Sequence, residues 1–136
     1  MTVPTIDEVC TSAAAAIDGI TGLRAKSYSD SQINEPEVHV FVRDFDPRLV
    51  FSVSKKPLPL TARLFIKGID DRAAHKAIRV FMEPGSVTSK IETITAWTGN
   101  GATVDYAEVT LITGPAQIEL AGTVRWFVDF EFDVCF

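Results

Sequence analysis

A chain of 136 residues, 46% apolar and 23% charged, has the size and composition of one folded domain, residues 1–136, and these values exclude a disordered chain. No apolar stretch reaches the ~18–20 residues needed to cross a bilayer. The first eight residues lack the basic region and apolar core of a secretion signal, so use without export by the general pathway is expected. The formal net charge of −5 leaves no basic footprint for gripping phosphates, though it permits a surface past which nucleic acid slides.

The first element predicted is a helix. Thr5 and Glu8 form a capping box behind Pro4, and Ile6, Val9, Cys10, Ala13, Ile17 and Ile20 recur at three- and four-residue steps until Gly19 and Gly22. A polar loop is expected from Ser29 to Pro36. Three alternating sets then predict strands: Val38, Val40 and Val42; Leu49, Phe51 and Val53; and Leu60, Ala62, Leu64 and Ile66. Lys55, Lys56, Pro57, Leu58 and Pro59 read as a stiff basic connection between the second and third of these. It is either an exposed hairpin loop whose lysines protect an edge, or an arm that touches a neighbouring subunit.

A second helix is expected from an N-cap at Asp70, with Ala74, Ala77, Ile78, Phe81 and Met82 on one face and Pro84-Gly85 at its end. A shorter helix follows from about Ser86, turning Val87, Ile91 and Ile94 inward. Ala107, Val109 and Leu111 then alternate, and Gly114-Pro115 reads as a turn. From Ile118 to Phe136 every even position is apolar or glycine. One long strand kinked at Gly122 accounts for this, and so does a tight turn at Ala121-Gly122. In either case the row is expected to floor the core. The whole reads as an α+β domain: a mostly antiparallel sheet, an N-terminal helix and one or two further helices packed on one face.

The pattern is poor in catalytic motifs. His39 and His75 stand apart from further ligands, and Cys10 and Cys135 read as small buried hydrophobes. No nucleophile elbow or phosphate-binding glycine loop occurs, so neither an enzyme nor a cofactor or metal site is expected. The most chemical feature is the odd-numbered row Asp129, Glu131 and Asp133, whose carboxylates project to one side of a strand about 7 Å apart. Such a row could do acid–base work, bind a hard cation, face solvent or a partner, or line a channel and repel phosphate.

Four stretches in order, residues 17–25 (IDGITGLRA), 32–38 (QINEPEV), 70–74 (DDRAA) and 85–92 (GSVTSKIE), together with the closing strand, resemble the tail terminator proteins of long-tailed phages, particularly those of actinobacteria. The chain departs from that pattern at residues 55–59, a longer proline-bearing connection. The resemblance implies a small α+β subunit that closes into a ring, usually of six. Such a ring caps the tail tube, stops its polymerisation and meets the head-side connector. The implied partners are further copies of the chain, the tube protein and the connector, with DNA passing through unheld and no membrane involved. The implied location is the tail or neck of a virion assembled in the host cytoplasm. Lys55, Lys56, Asp129, Glu131 and Asp133 are the candidate interface or lumen residues. Six copies would carry about thirty net negative charges, which suits a DNA conduit.

Overall fold

The computed structural model describes residues 6–20, 23–28, 36–43, 58–67, 71–83, 85–92, 106–120 and 122–135. They form three helices, α1 (Ile6–Asp18), α2 (Asp71–Met82) and α3 (Val87–Glu92), and five strands, β1 (Arg24–Lys26), β2 (Glu37–Val42), β3 (Leu58–Lys67), β4 (Tyr106–Leu120) and β5 (Thr123–Cys135). The strands make one sheet in the order β1-β2-β3-β5-β4, with β1 and β2 parallel and every other pair antiparallel. The fold is α+β, as its pattern predicts. None of the described helices is long and apolar enough to cross a membrane.

Period-two alternation puts one set of side chains under the helices. Val38 and Val40 of β2, Leu58, Leu60, Ala62, Leu64 and Ile66 of β3, and Val128, Phe130, Phe132 and Val134 of β5 line this inner face. Each large side chain among them contributes about 1.5–3 kcal/mol by leaving water. Val9, Ala13 and Ile17 of α1, Ala74 and Ile78 of α2, and Val87 and Ile91 of α3 close the core from above. These are the positions that the helical spacing selects. The end of α1 is tied to β1 by Asp18, whose Oδ1 accepts the Ala25 amide at 3.0 Å.

Four expectations need correction. Leu58 and Pro59 belong to β3 rather than to a connection: Leu58 pairs with Val134 and is fully buried, because its place in the alternation continues that of Leu60. Gly114-Pro115 is not a turn. β4 runs through it with a cis peptide bond and a register shift between Thr113 and Ala116, and Gly114 has φ +118°. A Cβ there would sit 3.0 Å from the Phe127 carbonyl oxygen, so only glycine fits this close approach. Leu111 is 55% exposed instead of inward, because a second shift between Val109 and Leu111 inserts a residue and hands the inner position to Ile112.

The fourth correction concerns the closing row. Leu120 pairs with Thr123 and Gly122 has φ +79°, so the chain turns back here, the second of the two readings of this row, and what needs correction is the floor. The pairing joins an even position to an odd one. Ile118 therefore lies beside Arg125, on the face opposite Trp126, and the apolar floor runs only from Trp126 to Val134. The short parallel strand β1 lies where no strand was expected. The expected Leu49–Val53 strand, the Asp70 cap and Ile94 lie outside the described residues.

Candidate functional site

The outer face of the sheet, turned away from the helices, carries the charge. β3 contributes Thr61, Arg63 and Phe65, β2 contributes Glu37, His39 and Phe41, and β5 contributes Arg125, Phe127, Asp129, Glu131 and Asp133. Register decides who meets whom: Arg63 faces Asp129 directly. Its Nε donates to Oδ1 at 2.7 Å and its Nη2 to Oδ2 at 3.0 Å, a two-pronged pair. The guanidinium also lies over Phe127, 4.6 Å from the ring centroid, and within 5.5 Å of the Phe41 centroid. The hydrogen bonds that Arg63 donates to Asp129 hold it above its already high ordinary pKa; burial pulls the other way and the nearby negative charge adds to the rise.

Arg43, just beyond β2, takes the other two carboxylates. Its Nη1 donates to Glu131 Oε1 at 3.2 Å, and its Nη2 to Asp133 Oδ1 at 3.1 Å and to the Phe132 carbonyl at 3.2 Å. Thr113 Oγ1 adds a contact to Glu131 Oε2 at 3.4 Å. The acidic row is therefore a set of half-buried ion pairs. Its side chains are 18%, 26% and 31% exposed, and two guanidiniums against three carboxylates leave a single net negative charge.

A second polar group lies toward β1. Glu37 is buried, with Oε1 3.1 Å from Lys26 Nζ and Oε2 3.5 Å from Nε2 of the buried His39, whose ring rests 4.9 Å from Phe65. Alternation marks Val38 and Val40 as inward but gives no sign that their odd neighbours are buried as well. Arg43 and Arg63 were also missed as partners of the acidic row. The only hint lay in β3, where polar Thr61 and Arg63 interleave with the apolar set. Lys55 and Lys56 lie outside the described residues.

No group of three or more His, Cys, Asp or Glu side chains that could hold a metal occurs among the described residues. Cys10 and Cys135 are both buried and free, and burial, helped by Asp7, pushes the Cys10 thiol from its ordinary 9.0 up to about 11. A cleft of about 230 Å³ opens beneath α2 between His75, Ile78, Arg79, Met82 and Pro115. His75 stands edge-on to Trp126 at 4.6 Å. Among the described residues the arrangement gives a braced outer face and a cleft beneath α2 rather than converging reactive groups. No protein-family model matches the chain, and no curated protein matches it.

Proposed function

We propose that this chain is a structural subunit of a long-tailed phage virion, of the tail terminator type. It closes with copies of itself into a ring, about six, that caps the tail tube, ends its polymerisation and meets the head-side connector. The observation that carries this reading is β4. It is a 15-residue edge strand whose one neighbour among the described residues is β5, and it leaves Tyr106 and Leu111 45% and 55% exposed on the outer face. A long edge with large apolar side chains is a liability in a lone molecule and an asset in an assembled one. The α+β fold and the four sequence stretches favour the same class.

The role of the acidic row changes under this reading. With Asp129, Glu131 and Asp133 held by two arginines, the row stiffens the subunit, and DNA passage rests on the net charge of −5 per copy. Electron microscopy of particles assembled without the protein tests the proposal. Overlong tails support it; tails of normal length on leaking or unjoined heads point to another neck or minor tail protein.

One observation favours a second reading, a small-ligand-binding module. His75, which lines the cleft beneath α2, stands against Trp126, whose buried Nε1 has no hydrogen-bond partner among the described residues. At about 230 Å³ the cleft is smaller than the ~300–1,000 Å³ of ordinary ligand sites. Purified protein that stays monomeric and gains thermal stability from a metabolite would favour this module over the ring.

A further inference from the structure

The outward faces of the two longer helices carry opposite charge. On α1 the exposed positions Asp7, Thr11, Ala15 and Asp18 are spaced by four, four and three residues, which makes one stripe along the helix. The helix holds three acids, Asp7, Glu8 and Asp18, and no lysine or arginine. On α2 the exposed positions are Arg72, Ala73, Lys76, Arg79 and Val80, again one stripe, with Arg72, Ala73, Lys76 and Arg79 lining a shallow groove. α2 holds three cations, Arg72, Lys76 and Arg79, against one acid, Asp71, whereas the whole chain carries a net charge of −5.

The fold sets these stripes apart. α1 packs on β1 and β2 at one edge of the sheet, whereas α2 packs on β3, β5 and β4 toward the other. We infer that the basic stripe of α2 in one copy docks on the acidic stripe of α1 in the next. This deepens the ring reading and rests on it.

Charge selects that pairing over contacts of like helices. Two α2 stripes repel each other, as do two α1 stripes, so a contact that sets either helix against its own copy is disfavoured and α2 against α1 remains. Small side chains at Thr11, Ala15 and Ala73 let the helix axes approach to about 8–10 Å. Helices of 13 and 12 residues are about 18–20 Å long, too short to bury the ~800 Å² per partner of a standard interface. The contact is therefore weak by itself and sensitive to salt, and becomes durable only when ring closure or the tube holds the copies together.

Sedimentation velocity of the full chain, at ionic strengths of about 0.05 M and 0.5 M, tests this. The α2 variant is Lys76→Glu with Arg79→Glu, and the α1 variant is Asp7→Lys with Thr11→Lys. Asp18 is left intact because it holds the Ala25 amide. Each variant should weaken self-association at low salt by about tenfold or more, and their combination in one chain should recover most of it. High salt should weaken the wild type. The altered side chains are exposed, so melting temperatures should stay within a few degrees; if a variant fails to fold, Lys76→Gln with Arg79→Gln replaces it. If the wild type assembles and neither reversal alters it, the docking is wrong while the ring stands. A wild type that stays monomeric in solution and on purified tail tubes removes the ring and the docking together. If the α2 variant instead loses binding to a short DNA duplex with self-association unchanged, α2 is a nucleic-acid face and the inference falls.

Discussion

Arg63 and Asp129, 66 residues apart in the chain, meet across β3 and β5 through two hydrogen bonds of 2.7 and 3.0 Å, with the guanidinium lying over Phe127. The pair is half-buried, so it falls between a screened surface bridge and a fully desolvated one. A double-mutant cycle with Arg63→Ala and Asp129→Ala should give a coupling of about 1–2 kcal/mol in urea unfolding. Arg63→Lys should recover less than half of it, since an ammonium cannot make the fork or stack on the ring. A coupling near zero would show that the pair is surface ornament.

Leu58 separates the observed strand from the expected connection. Buried opposite Val134, its truncation to alanine should cost about 2–5 kcal/mol, as for other buried leucines. In an exposed basic arm the same change would cost under about 0.5 kcal/mol. Chemical denaturation decides between them.

At Gly122 the backbone has φ +79° and open space around an added Cβ, so any penalty there is conformational. Gly122→Val should destabilise by about 1–2 kcal/mol, and Gly122→Asn by much less, because asparagine tolerates the left-handed region. Were this the middle of a continuous strand, valine would stabilise instead. Thermal melts of the two variants give the sign.

The Cys10 thiol supplies a pH dependence. Its folded pKa of about 11 lies above the ordinary 9.0, so the folded chain holds its proton where the unfolded chain releases it. The contribution is complete below about pH 9 and is lost as pH rises toward 11, so stability should fall through that window. Cys10→Ala should show a shallower fall than the wild type. At pH 8 the native thiol should react with iodoacetamide far more slowly than the denatured one. Equal rates in the two states would contradict the burial.

Local pattern alone determined the helices and most of the core. The three- and four-residue steps of Val9, Ala13 and Ile17, and of Ala74 and Ile78, picked the buried faces of α1 and α2, and the two-residue rhythm did so for β2, β3 and β5, because both periods are fixed by backbone geometry within a few residues. Which side chains meet was a matter for tertiary structure. The register that sets Arg63 against Asp129 and Arg43 against Glu131 joins distant segments. The two shifts in β4 that expose Leu111 and carry the strand through Pro115 arise from pairing with β5, which no short window contains. The reversal at Gly122 fits the same alternation as a straight strand and differs from it only in which face each residue occupies. A carboxylate row reads as charge when seen one strand at a time; its partners lie on another strand, and only the assembled sheet shows that the charge is largely spent.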